Sequence, residues 1–458
     1  METIVQKYGG TSIGRPERMI NVAKIVQKTI AQEKRVIVVL SAMSGGVKIE
    51  GTTSNLLKAA QAAIDGGSYY KIVDLLEGNH LDAVEKTISD KKIKAQLTDE
   101  IKSELHKLKS FLDAIQVIGE ISSRSMDVIV GTGEKLSARI FTDVLNDRGI
   151  DAEYYNLDNV VQEEFREVNQ EFCCYLQKQL RALLLKSGAK VPVVTGFFGF
   201  VPRGILRSIG RGYTDFTAAL IATSTLAAEL QIWKEVDGIF TADPKKVDGA
   251  SVLSSITPEE ALELTHYGSE VIHPLTMEQV ANANIPIRIK NTFDPDIPGT
   301  IIDPGGSDRT RKGATAVTVK RGLTLVNVQS NRMLMPYSFM SRVFSVFAKH
   351  ELIIDLTSIS EVNISLTLEE DDKLKLAIPE LEKLGKISVR EDMAIISLIG
   401  VGMRHFVGIA SEMFTRLAEH GINIEAISQG SSEINISCVI SDQQSDKALR
   451  AVHEMLVE

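Results

Sequence analysis

Through the first three hundred residues, short aliphatic and β-branched runs alternate with stretches whose apolar residues recur at helical spacing. The runs 4–7, 35–41, 128–131, 152–156, 191–195, 229–235 and 286–290 have strand length and the near-continuous apolarity of strands covered on both faces. The segments 17–33, 134–148 and 215–227 carry the helical period between them. This alternation, sustained to about residue 308, predicts an α/β domain of three layers around a mainly parallel sheet. Residues 56–125 break the rhythm. They are charged, helical in pattern and free of strand signals, which predicts a helical insertion, either lining the substrate side of a cleft or forming a surface helical pair.

Pro298-Gly299-Thr300 and Pro304-Gly305-Gly306-Ser307 punctuate the chain as a linker, and the pattern then changes. An apolar run at 325–328, a helix at 341–350 and runs at 353–356 and 362–366 are followed by the same succession at 395–400, 407–420, 422–424 and 434–438. Each helix ends in a histidine, His350 or His420, and each copy closes on Asn-Ile-Ser, at 363–365 and 435–437. Self-similarity of this kind marks an internal repeat. The expected division is 1–308, 309–390 and 391–458.

Composition narrows the function classes. A chain of 458 residues exceeds what one core supports. A formal net charge of −9 without a basic cluster argues against nucleic acid as a partner. No apolar run approaches the roughly 20 residues of a membrane span. Met1 leads directly into the first strand, so no signal peptide is expected. The three cysteines, two of them adjacent (Cys173 and Cys174), give neither a disulfide framework nor metal-ligand spacing, so no protein-built metal site is expected and cytoplasm is the expected compartment.

Four glycine-punctuated segments carry the candidate chemistry. They are Lys7-Tyr8-Gly9-Gly10-Thr11-Ser12, Gly133-Glu134-Lys135-Leu136-Ser137, Gly210-Arg211-Gly212-Tyr213-Thr214-Asp215, and 233–244, which runs from Trp233-Lys234-Glu235 through Phe240 to Asp243-Pro244. The first follows a strand and precedes a helix, so Gly9, Gly10 and Ser12 are placed to wrap phosphate oxygens, with Lys7 supplying charge. In the third, Arg211 between glycines can grip a carboxylate, or it is a surface arginine beside the helix-capping Thr214 and Asp215. Glu134 reads as an acidic residue in the first turn of its helix, where the dipole favours it. Gly131-Thr132-Gly133 lacks the third glycine of a dinucleotide fingerprint, and no Walker sequence occurs, which excludes Rossmann dehydrogenases and P-loop enzymes.

Together these segments resemble the aspartokinase family over nearly the whole chain. The likeness is greatest to the monofunctional fungal type, as in Gly119-Glu120-Ile121-Ser122-Ser123-Arg124 and Val194-Thr195-Gly196-Phe197-Phe198-Gly199. The resemblance implies ATP-dependent phosphorylation of the side-chain carboxylate of L-aspartate, the first step towards lysine, threonine, methionine and isoleucine. It implies Lys7 on the γ-phosphate, Arg211 and Asp215 at aspartate and the phosphate end, and Glu134 on the substrate ammonium. Ser41, Thr53, Ser54 and Thr214 would complete the aspartate pocket. ATP would be lined by Gly9, Gly10, Ser12, Lys234, Glu235, Phe240, Asp243 and Lys290, with Mg2+ held mainly by its phosphates.

The repeat resembles paired ACT modules of βαββαβ type, which implies feedback by an inhibitory amino acid, threonine or lysine, and self-association as a homodimer or larger. The residues at its effector positions are Ser338, Phe339, Met340, Asp355, Ser360, Glu361 and Val362, with Asn423, Ile424 and Gln429 in the second copy. Asp355 and Glu361 would hold the effector's ammonium, and backbone groups near 338–340 its carboxylate. Two departures stand out. Glu270 replaces a lysine of many relatives, leaving Arg288 or Lys290 to compensate, and an extra loop at 45–51 precedes Ser54-Asn55-Leu56-Leu57. His273 is expected to be structural. The alternatives are another kinase of the same fold and a non-catalytic amino-acid sensor.

Overall fold

Six consecutive buried positions make the first strand, Thr3–Tyr8 (β1), as a strand covered on both faces requires. The computed structural model of the chain describes residues 1–45, 51–268, 272–306, 313–330, 336–369, 371–430 and 434–456. The chain divides into two compact units: Met1–Ile239 with Ile272–Gly305, and Phe240–Val271 with Gly306–Glu458.

In the first unit, β1 lies at the centre of a mostly parallel sheet. Its neighbours are Arg35–Leu40 (β2) and Glu229–Lys234 (β5), with Ala152–Tyr155 (β3) and Val191–Thr195 (β4) beyond β2. The order runs β3-β4-β2-β1-β5, then Ile287–Asn291, and then Thr300–Ile302 in the antiparallel sense. Buried polar groups in β1 are satisfied: the Gln6 amide donates to Thr29 and to Gln231, each at 2.9 Å. Parallel strands of this kind leave a crevice at their carboxyl ends where the direction of winding switches, here on either side of β1.

Residues 56–125 are helical as expected, in Thr52–Ile64, Tyr70–Thr87 and Lys91–Ile118. These helices are part of the core. Leu97, Ile101, Leu105, Leu108 and Leu112 form one apolar stripe within the same cluster as Val36, Val38 and Leu40 of β2. The expected strand at 128–131 is instead the second turn of a 24-residue helix, Ser123–Asn146, opened by the Ser122 hydroxyl accepting from the Ser125 N–H at 3.1 Å. Every position of this helix from Ile129 to Glu134 is buried, so 128–131 shows an apolar run rather than a helical period.

The second unit holds one six-stranded antiparallel sheet whose two central strands, Ala316–Ser330 and Gly385–Ile399, pair along their length. Residues 323–329 also pair with Asn363–Glu369, which in turn pairs with Leu356–Ile359. Residues 393–399 pair with Asn435–Ser441, the partner of Ala426–Ser428. Helices Pro336–Lys349 and Asp372–Leu381 accompany the first set of strands, and Ile409–Glu419 and Ser445–His453 the second. Residues 316–320 lie beside 395–399, so the second βαββαβ set takes its outer strand from ahead of the first. Strand pairing interleaves the copies and does not follow the serial order of the sequence repeat.

Candidate active site

The site grows from the carboxyl ends of the parallel strands. Lys7, the penultimate residue of β1, places its ammonium 2.7 Å from Asp215 Oδ1, with both side chains nearly buried. Gly9 and Gly10 follow. A Cβ at Gly10 would collide with the Ala42 carbonyl oxygen, and the Gly10 carbonyl accepts from the Ser44 N–H at 3.0 Å. Gly10 thus lets the segment after β2 close on the turn after β1. Ser41 sits in that segment, its carbonyl accepting from the Ser137 hydroxyl at 2.8 Å. Thr53 and Ser54 lie half-buried in the first turn of Thr52–Ile64.

Helix Ser123–Asn146 brings in Glu134. A Cβ at Gly131 would lie 2.5 Å from the Phe197 ring, and one at Gly133 would lie 2.7 Å from Ala42 Cβ. These glycines therefore serve close packing of the helix. Glu134 stands in mid-helix, not in a first turn, so the dipole gives it nothing, and it is fully buried. One carboxylate oxygen accepts from the Tyr213 hydroxyl; the other, Oε2, is buried without a hydrogen-bond partner among the described residues. Burial pushes the Glu134 pKa up to about 7, against the opposing pull of the Tyr213 hydrogen bond, the backbone groups of Glu134 and Ala42 and the Lys7 charge.

The glycine-rich turn 210–215 opens helix Tyr213–Ser224, whose cap is Gly212 without a side-chain bond. Asp215 was expected to cap this helix; its carboxylate turns to Lys7 instead. Burial raises the Asp215 pKa, but the charges of Lys7 and then Lys234 outweigh it and hold the carboxyl below the usual carboxylate range. Thr214 is buried against Gly196. Arg211 is exposed and has no ion-pair partner among the described residues, as suits a group that meets a ligand. The His273 ring packs against Gly212, and its Nδ1 accepts from the Leu275 N–H at 3.3 Å, which is a structural task.

Several expected nucleotide contacts are spent elsewhere. The Ser12 hydroxyl is fully buried and bonded to Thr292 at 2.8 Å, away from a phosphate role. Lys290 donates to the Ile297 carbonyl at 2.9 Å and lies over the Trp233 ring, and Arg288 is paired with Glu229 at 2.9 Å, so neither is available as a compensating cation. Glu270 lies outside the described residues, as does most of the loop at 45–51. Glu235 is half-exposed, 3.8 Å from Arg18. Phe240 and Asp243 belong to the second unit, where Phe240 bridges Val252 and Asp243 accepts from the Lys245 N–H at 3.0 Å. Sequence reading gave Tyr213 no role, although it stands between Arg211 and Asp215. An aromatic hydroxyl inside a glycine-rich functional turn was the available signal.

In the second unit, Ser338–Met340 occupy the first turns of Pro336–Lys349, with the Phe339 ring in the core rather than open to a ligand. Asp355 is already bound to Lys320 at 2.6 Å. It stands at one end of strand Leu356–Ile359 and Glu361 beyond the other, up to roughly 20 Å apart by strand rise. One ammonium cannot reach both within a chain. Ser360, Glu361 and Val362 form an exposed hairpin turn in which the Ser360 N–H donates to the Asn363 carbonyl. Asn423 is exposed and donates to Glu425, Ile424 is half-buried, and Gln429 is exposed.

Residues 2–291 match the model of the amino acid kinase family and residues 396–456 that of the ACT domain. The aspartokinase of Schizosaccharomyces pombe is 46% identical over 99% of this chain and 93% of its own. That of Saccharomyces cerevisiae is 44% identical over 99% and 92%. Among solved structures, Escherichia coli aspartokinase III in complex with aspartate and ADP superposes with a TM-score of 0.81 at 26% identity, covering all of both chains. The same enzyme in complex with lysine and aspartate gives 0.80. With relatives this similar from end to end, and with the paired lysine and aspartate, the buried glutamate and the free arginine gathered in one unit, the chain belongs to the aspartokinase family.

Proposed function

We propose that this chain phosphorylates the side-chain carboxylate of L-aspartate from ATP, with the Lys7–Asp215 pair as the observation that carries the assignment of roles. An aspartate carboxylate oxygen forms a bond to the γ-phosphorus as the bond from that phosphorus to the ADP oxygen breaks, giving aspartyl phosphate and ADP. The nucleophile is already ionised near neutral pH, so no general base is needed. The task is to bring anions together and neutralise charge during transfer. The Lys7 ammonium does this at the phosphates while Asp215 fixes its position. Arg211 takes the substrate's α-carboxylate in two-pronged fashion, and the unpartnered oxygen of Glu134 takes its ammonium.

In this reading Mg2+ travels on the nucleotide phosphates and lowers their charge; among the described residues no group of three histidine, cysteine or acidic side chains could hold a metal ion. No helix among the described residues is long and apolar enough to cross a membrane, and the cytoplasm is the compartment that fits the reading. The interleaved βαββαβ sets are read as the regulatory part, binding threonine or lysine near the Ser338–Met340 backbone and pairing with a second copy of the chain. Hydroxylamine trapping of aspartyl phosphate, dependent on Mg-ATP and aspartate, tests the activity. Lys7→Ala is expected to lower turnover by about 10²–10³ while the chain still folds, with a lower thermal midpoint because the buried Asp215 loses its partner. Near-normal turnover in that variant would remove the assignment.

A further inference from the structure

Tyr213 lies in the same turn as Arg211 and Asp215, is 3% exposed, and donates its hydroxyl proton to the fully buried Glu134. Two facts set this apart from ordinary satisfaction of a buried phenol. The bond engages only one carboxylate oxygen, leaving Glu134 Oε2 buried and unpaired. The backbone of Tyr213 is also fixed, because its carbonyl accepts from the Thr217 hydroxyl at 2.9 Å and its N–H bonds to the Gly210 carbonyl at 3.3 Å.

We infer that Tyr213 is a positioning residue for aspartate: its hydroxyl orients the Glu134 carboxylate and keeps it charged, so that Oε2 alone is presented to the substrate ammonium. The inference rests on the reading of Glu134 as the ammonium anchor. It goes beyond that reading by giving the turn of Arg211 and Asp215 a second duty, in the aspartate pocket, through a residue that itself touches no substrate. A buried carboxylate stripped of its one side-chain donor holds its charge less well, and an uncharged Glu134 offers an ammonium little. The phosphate end has its own pair, Lys7 with Asp215, and does not depend on this hydroxyl.

The test is a four-protein comparison of wild type, Tyr213→Phe, Glu134→Gln and the double variant, with KM for aspartate, KM for ATP and kcat measured for each. Tyr213→Phe is expected to raise KM for aspartate roughly tenfold, the share of one hydrogen bond to a charged group, with KM for ATP and kcat within about twofold. In the Glu134→Gln background the same change should leave KM for aspartate unmoved. Equal rises in both KM values, or an additive rise in the double variant, would overturn the inference. A KM for aspartate left unchanged by Glu134→Gln would instead overturn the anchor reading beneath it. Should Tyr213→Phe alone fail to fold while the double variant folds, the hydroxyl is shown to hold the Glu134 charge. Failure of the double variant where Glu134→Gln folds would show a packing role and count against it.

Discussion

Glu134 is asked for opposite things by stability and by function. Its folded pKa of about 7 lies above the ordinary 4.5, so folding favours its protonated form. Below pH 4.5 both states hold the proton and the residue costs nothing. As pH rises from there through about 7, the unfolded chain ionises first and stability is lost, on the order of 3 kcal/mol in full. Glu134→Gln removes this loss. Thermal unfolding should show the variant several degrees more stable than wild type at pH 8 and little different near pH 5, while its KM for aspartate rises at least tenfold. An unchanged midpoint at pH 8 would mean that Glu134 is charged and well solvated in the folded protein. The sequence marks Lys7, Glu134 and Asp215 as candidates through their glycine-punctuated segments, and the roles expected of Glu134 and Asp215 come from the family resemblance. It could not say which polar groups are already satisfied. Ser12 and Thr292 are 280 positions apart, and Arg288 and Glu229 are 59 apart, so those pairings exist only after folding.

At the scale of one element, two glycines in helices separate propensity from packing. Gly78 lies inside Tyr70–Thr87, and a Cβ there would meet nothing within 4 Å. Gly78→Ala should therefore add close to 1 kcal/mol, the helix preference of alanine over glycine. Gly133→Ala gains the same preference, but its Cβ would sit 2.7 Å from Ala42 Cβ and 3.0 Å from Thr52 Cγ2. Overpacking of this kind costs about 1–3 kcal/mol, so this variant should be destabilised in urea, and displacement of Glu134 should raise its KM for aspartate. Stabilisation by both changes alike would show that helix Ser123–Asn146 can shift away from Ala42. The same helix explains why part of the fold was illegible. Every position from Ile129 to Glu134 is buried, so the period is lost locally, and the run of valines and isoleucine at 128–130 imitates a strand. Amphipathic helices such as Pro16–Ile30 and Gln170–Leu184 keep a polar face, and the first of these was readable almost to its ends.

For the whole molecule, the linker at 298–307 looked like the seam between catalytic and regulatory parts, because proline and glycine punctuate it. In the folded chain the change of unit comes earlier. Segment 240–271 leaves the first unit after Ile239 and is built into the second. The Thr241 hydroxyl bonds His453 at 2.9 Å, and Glu260 accepts from the Thr315 hydroxyl at 2.7 Å and from the Val401 N–H at 2.9 Å. Asn435 donates to Glu263, while Ala242 and Val247 share a core with Ile396, Leu398 and Val452. These contacts span up to 212 positions, and no local pattern encodes them. A chain ended at residue 308 would leave Glu260 Oε1 without its two donors, Thr315 and Val401, and uncover the apolar side of 240–271. Such a chain should aggregate on size-exclusion chromatography and be cut by protease within 240–271, whereas the full chain is protected there. The complementary truncation at residue 390 would strip 316–320 of its partner strand 395–399 and expose an unpaired sheet edge, with the same tendency to associate. A monodisperse, protease-resistant 1–308 chain would show that segment 240–271 has a second packing partner in the first unit, and the seam read from the linker would then be the correct one.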